Sequence, residues 1–489
     1  MNGSSLSGAK GFSFTLRFVS LFAAAHIVFV FLQSNFVPLS GGWNLVWLGL
    51  ELLLGVGAFV LSVGCWVYAQ RHKTDSQTAF RSLFASIISP GFWFLLLWVL
   101  WAYIACFLAV REGRTSFYHN VRYLFYQTAD LLVLFPLGVY YGKQEKTRFL
   151  CALYDVTLAL FTLQLLYGFS RFFSGEAQFT AFFGRSFDYS MLRPLIGVNS
   201  NHTGAYAAFF LVAGLWRFRL LSRPAGKILL ALAGAICFAA FAMVESRGAI
   251  IGMAIAVSYM AGVGCWRRRK QKSIISALIS VICALLAAGV FLLVFYGTRS
   301  VLLQGQNAIL GHIRAATVSS APAVSDSAST PNIAPAPGAS GDQEIRGIVG
   351  KGASTLGGRK KIWLTVIRGV QKDLHILLHG SSMASTSDWV ATVFGKAFRT
   401  HNQFLEVLVA QGLPALILFL VWLVWLAHKS LRLSFDPQNK IHWMLPLPLL
   451  QLIAHNMVEM MIVARPHVIC GLFYLIAGYV AGFAPTGRK

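Results

Sequence analysis

Arg193, Arg247 and His401 are the residues of this chain whose types and settings best suit chemistry, each lying in a polar segment at the mouth of an apolar stretch. MLRPLIGVNSNHTGAY (191–206) supplies Arg193, Asn199, Asn201 and His202. ESRGAIIG (245–252) supplies Arg247, and RTHNQFLEVLVAQG (399–412) supplies Arg399, His401 and Asn402. Guanidinium forks bind phosphate bidentately and stay protonated, so a pair of them suits a diphosphate that is held and then released as a charged leaving group. An imidazole takes up a proton near neutral pH and suits a general base. A lipid-linked diphosphate sugar fits both requirements, because its glycosyl-phosphate bond is already activated. The competing reading of each arginine alone is an anchor to solvent or lipid phosphate, and of the histidine a surface residue at a helix start.

Other chemistries find little support. The chain has no HExxH, no Walker loop and no GxSxG at a strand-to-helix turn. QSNFVPLSGG (33–42), expected to be the first outer loop, has no Asp or Glu to hold a divalent cation, so the expected reaction needs no metal and no cofactor. Cys65, Cys106, Cys151, Cys237, Cys265, Cys283 and Cys470 fall in or beside apolar stretches without zinc-finger or thioredoxin spacing, which predicts neither a disulfide framework nor a structural zinc. Polar residues expected at membrane depth are Glu51, Asp130, Asp155, Glu245, Glu406, His455 and Glu459. Such residues are costly in lipid, and each is either an interhelical hydrogen-bonding group or a functional one.

The elements that must position these residues follow from composition. Of 489 residues, 56% are apolar and only 12% charged, and mean hydropathy is +0.64. A soluble domain carries roughly 25% charge. The chain therefore reads as an all-α integral membrane protein, which excludes soluble Rossmann, barrel and kinase architectures. The net charge of +24 then reports topology rather than nucleic-acid binding. Runs of about 20 apolar residues predict about twelve transmembrane helices, near 13–32, 43–69, 84–109, 121–141, 149–169, 203–221, 227–244, 248–265, 273–297, 404–427, 443–463 and 467–484. Basic clusters such as Lys143, Lys146, Arg148 and Arg267 to Lys270 fall on one side, and scattered arginines on the other. The positive-inside rule then puts both termini in the cytoplasm and the candidate residues on the outer face.

The predicted organisation is nine transmembrane helices over 1–297, a long outer loop over 298–400 and three further helices over 401–489. Within the loop, 315–343 is rich in Ala, Ser and Pro and reads as disordered. Near 360–372, Ile362, Trp363, Val366, Ile367 and Val370 repeat at helical spacing behind Arg359, Lys360 and Lys361. This predicts an amphipathic helix lying against membrane lipids, with packing on a small core of the loop itself as the alternative.

The topology, with RKKIWLTVIRGVQKDLHILLHGSS (359–382), SRGA (246–249) and the 401–415 spacing, resembles the bacterial O-antigen ligase and O-antigen polymerase superfamily. That superfamily's ligase pattern is His, then Asn, Ser or Gln, nine residues, Gly, two residues, and Gly, Thr or Tyr. His401, Asn402 and Gly412 match it, and Ala415 departs from it. The resemblance implies a bacterial inner-membrane glycosyltransferase whose active site, with its long loop, faces the periplasm. It would transfer a glycan, with inversion and without metal, from undecaprenyl diphosphate to lipid A-core in lipopolysaccharide biosynthesis. His401 would be the base and Arg193 and Arg247 the diphosphate holders. Asn402, Asn201, Arg399, Glu406 and Glu459 would support them, and membrane lipids, not nucleic acid, would surround them. Arg193 with Gly204, and Arg346 with Gly357, have the spacing of a motif of polymerase loops, so elongation of a lipid-linked glycan stays open. So does transfer to a protein. A transporter would carry its cations towards the membrane midplane, whereas these gather at one face.

Overall fold

The structure is a computed structural model that describes residues 17, 19–28, 30, 49, 89–173, 200–244, 246–269, 273–319, 354–395, 399–463 and 467–483. No strand occurs among them. Arg193, Asn199, Glu51 and Glu245, the span at 43–69 apart from residue 49, and most of the Ala/Ser/Pro-rich stretch lie outside the described residues. Pro90–Arg111, Arg148–Ser170, Pro224–Val244, Arg247–Arg268, Ile274–Leu302 and Gln403–Phe435 are long and apolar enough to cross a bilayer.

Chain order builds a helical bundle. After α1 (Val19–Val28), α2 (Pro90–Arg111) starts where the Ser89 hydroxyl accepts from the Phe92 amide and Pro90 takes the first turn, where no intrahelical N–H is needed. Its buried stripe, with Leu95, Trp98, Ala102, Ala105 and Ala109, recurs at helical spacing. The single span expected at 121–141 is one unbroken helical run, passing from α3 (Phe117–Ala129) through a π turn over Asp130–Leu134 into α4 (Phe135–Lys143). Pro136 has no N–H and crowds the carbonyl four residues back, and the widened turn accommodates both.

α4 packs on α15 (Val468–Gly482) through two facing GxxxG patterns, Gly138 with Gly142 and Gly478 with Gly482. A Cβ at any of the four would overlap the opposing backbone. α15 is buried on every side, as a helix apolar all round must be.

Between these lie α5 (Arg148–Phe173), α6 (Ser200–Leu220), α7 (Pro224–Val244), α8 (Arg247–Arg268) and α9 (Ile274–Ser319). α9 continues well past the expected end at 297. The stretch beyond has no proline, and Arg299 anchors it by donating to the Ala242 (2.7 Å) and Met243 (3.3 Å) carbonyls at the end of α7.

α10 (Ser354–Lys372), α11 (Leu374–His379) and α12 (Thr386–Phe394) follow. Val366 and Val370 of α10 are buried with Ile376, Trp389, Val390 and Val409, and Ile362 packs against them. Much of the apolar stripe of this helix therefore faces protein.

α13 (Gln403–Phe435) is broken at Gly412, whose φ of 78° no helix contains. Pro414 would crowd the Ala410 carbonyl in a continuous helix, which gives the break a cause in the sequence. Gln411, just before the break, is tied on three sides. Its side-chain oxygen accepts from Trp98 Nε1 (2.7 Å), its carbonyl accepts from Trp101 Nε1 (2.8 Å), and its amide donates to Gln127 Oε1 (2.7 Å). The span expected to run to 463 ends instead as α14 (Pro446–Asn456), and a non-helical turn leads to α15.

Candidate functional site

His401 stands just before α13, with Asn402 as the helix cap. The Asn402 oxygen accepts from the Phe404 and Leu405 amides, both at 3.0 Å, and its amide donates to the Met457 carbonyl at 2.8 Å. This bond fastens the start of α13 to the turn after α14. Gln403 Oε1 accepts from the Ile462 amide (3.2 Å), and Asn456 Oδ1 accepts from the Met461 amide (2.6 Å), which fastens the same turn twice more. Glu459 projects from this turn. His401 itself has φ of 50°, a region in which a non-glycine residue costs roughly 1–3 kcal/mol. The surrounding ties hold it there.

His401 Nδ1 lies 3.0 Å from Glu459 Oε1. A carboxylate only accepts, so Nδ1 carries the proton of this bond and Nε2 is the ring nitrogen turned away from the carboxylate. Glu459 Oε2 accepts from Asn201 Nδ2 (2.7 Å) and Arg359 Nη2 (3.3 Å). The Glu459 side chain is 4% exposed and that of His401 31%, so the carboxylate is buried beneath a ring open to solvent. Burial pushes the Glu459 carboxyl up, but the His401 hydrogen bond and the charges of His401, Arg359 and His202 together outweigh it and hold the group down at about 2.

The helix mouths of Asn201 and His401 meet at this turn, and that of Arg247 borders it. Asn201 brings the start of α6. His202 crosses the His467 ring edge-on at 4.5 Å, and His467 Nδ1 lies 3.1 Å from Tyr206 Oη. Arg247 opens α8 between two close approaches. Ser246 reaches the Asn201 carbonyl at 3.4 Å, and Gly248 lies so near His455 and Val458 that a Cβ would crowd both. The third mouth brings His401.

Arg399 and Glu406 have a different place. Arg399 Nη1 donates to Glu406 Oε1 (2.9 Å) and to the Met383 carbonyl (2.8 Å), and Thr400 Oγ1 donates to Glu406 Oε2 (3.0 Å). Glu406 is wholly buried. This pair secures the polypeptide on either side of His401, while Glu459 is the carboxylate on the imidazole. Arg359, which the sequence offers only as a cation beside an amphipathic stripe, is a member of the cluster; its position at the head of the stretch preceding His401 was the available signal.

Gly412 closes the architecture below. Its positive φ and its close approach to the Leu378 carbonyl and His379 amide exclude a side chain. The arrangement can accept a proton at His401 Nε2 and hold the resulting imidazolium against a fixed carboxylate. Arg247 begins α8, whose Gly248 packs against His455 of α14 and Val458 of the same turn.

The family model Wzy_C, described as O-antigen ligase, matches residues 232–420. That stretch includes Arg247, Arg359, Arg399, His401 and Asn402. No curated protein and no solved structure matches the chain.

Proposed function

We propose that this multi-pass membrane protein is an O-antigen ligase, a reading supported by the likeness of residues 232–420 to the O-antigen ligase family. It moves glycan from undecaprenyl diphosphate to a hydroxyl of lipid A-core on the periplasmic side of the inner membrane. The observation that carries the reading is the His401–Glu459 pair at 3.0 Å, with His401 inside the matched region.

In the proposed reaction, His401 Nε2 takes the proton of the acceptor hydroxyl as the oxygen attacks the anomeric carbon. The bond from that carbon to the diphosphate oxygen breaks on the opposite face, inverting the centre. Undecaprenyl diphosphate departs with the electron pair, held by Arg247 and Arg193. Glu459 keeps Nδ1 protonated and stabilises the imidazolium, and Asn201 and Arg359 hold Glu459. Asn402 sets the position of His401 through the helix cap, and Arg399 and Glu406 brace the same segment. All charge compensation in these steps comes from side chains, so transfer should persist in EDTA.

The experiment that tests the reading supplies purified protein with undecaprenyl-diphosphate-linked glycan and lipid A-core in EDTA. Glycan appearing on lipid A-core supports the ligase. Elongation of the lipid-linked glycan without transfer to lipid A-core makes the protein a polymerase using the same donor, and uptake into liposomes without either product makes it a transporter.

A further inference from the structure

We infer that Glu112, His375 and His379 form a binding site for a divalent transition-metal ion, zinc by the chemistry of its donors, which joins the end of α2 to the segment leading to His401. Glu112 follows the last residue of α2. The histidines are four residues apart on α11, whose start is fixed by Asp373 Oδ1 accepting from the Ile376 amide at 3.2 Å. Glu112 Oε1 lies 3.0 Å from His375 Nδ1 and 3.1 Å from His379 Nε2. The donor atoms of the three residues all lie within 4.8 Å of one another.

A tetrahedral zinc ion with ligand bonds of about 2.0–2.1 Å spaces its donors about 3.3 Å apart. The two separations from Glu112 Oε1, 3.0 and 3.1 Å, are thus already close to this value. Two imidazoles and a carboxylate favour zinc and its first-row neighbours over magnesium or calcium, which take all-oxygen sets. The supporting contacts are also in place. Arg114 Nε holds Glu112 Oε2 at 2.9 Å, and Arg114 Nη1 lies 3.6 Å from Asp373 Oδ2. Such contacts orient a ligating carboxylate. The His375 side chain is 62% exposed and that of His379 10%, so the site lies at the surface, and three protein donors would leave the fourth tetrahedral position to water.

The ion would act as a clamp. Directly after His379, the Ser381 and Ser382 amides donate to the Val409 (2.7 Å) and Ala410 (2.9 Å) carbonyls. Fixing His379 to Glu112 therefore steadies the backbone strip beside the first half of α13, which starts next to His401. The clamp is separate from the sugar-transfer chemistry and does not rest on that reading.

The test uses tag-free, full-length protein in detergent, stripped with EDTA and titrated with zinc against a chromophoric chelator, with Tm recorded alongside. Wild type should take up about one tightly held zinc per chain and gain Tm. Glu112→Gln and His375→Ala, the latter at an exposed ring whose loss leaves the core intact, should each weaken binding at least tenfold and lose the Tm gain. His428→Ala should bind as wild type does. Zinc absorption spectra should show nitrogen and oxygen ligands. Failure of wild type to bind zinc stoichiometrically, undiminished binding by both ligand variants, or a sulfur-containing ligand set would each overturn the site.

Discussion

The Nδ1 of His401 and the Oε1 of Glu459 lie 3.0 Å apart across 58 residues of chain. Asn402 and Gln403 fasten the turn between α14 and α15 against the start of α13, and Asn456 braces the turn from within, so the pair is positioned by the backbone on both sides. Glu459 is in this sense a positioning residue for His401.

Glu459→Gln should therefore lower kcat by roughly 10²-fold, within the range associated with general-base catalysis, while leaving KM for the lipid-linked donor near its original value. Glu459→Asp should recover part of the loss. A change confined to KM would show that Glu459 binds substrate instead.

The same carboxylate makes stability depend on acid. Its ordinary value of 4.5 is lowered to about 2 in the folded protein, so its contribution is fully present above about pH 4.5 and is lost as pH falls towards 2. Thermal unfolding in detergent should give a Tm that falls more steeply across that window for wild type than for Glu459→Gln. Parallel curves would contradict the assignment.

Arg399, partly exposed, pairs with the buried Glu406 carboxylate, and removing the carboxylate takes away the anionic partner of the guanidinium. Glu406→Ala should destabilise the protein by about 3–5 kcal/mol. The double variant with Arg399→Ala should lose less than the two single losses combined. Additive losses by chemical or thermal unfolding would show that the two side chains act independently.

Gly412→Ala should destabilise the protein by about 1–3 kcal/mol from its backbone conformation alone, with more from the overlap of the new Cβ with the Leu378 carbonyl. A Tm equal to wild type would contradict a fixed break at this residue.

Much of this architecture was legible because burial in lipid leaves a strong imprint: α7 ends at Val244 and α8 begins at Arg247, and α5, α6 and α8 lie close to their expected spans. Local chemistry altered the rest. Pro136 put a π turn into one expected span and Gly412 with Pro414 broke another, while Arg299 anchors α9 beyond its apolar run. His401, Arg247 and Asn201 were recognisable from residue type and position at helix mouths, but their convergence depends on a turn that apolar periodicity does not reveal. Arg359 was hidden because a cation beside an apolar stripe reads equally well as a lipid anchor. The clamp residues were missed because Glu112 and the two histidines are far apart in sequence and lack any metal-site spacing as a set.

The most direct test of His401 as the base compares glycan transfer to lipid A-core by wild type and His401→Ala in EDTA, with donor binding and Tm measured on the same preparations. The variant should bind donor and remain folded while transfer falls by roughly 10²–10⁴-fold. Transfer at the wild-type rate by a folded His401→Ala protein would contradict the account.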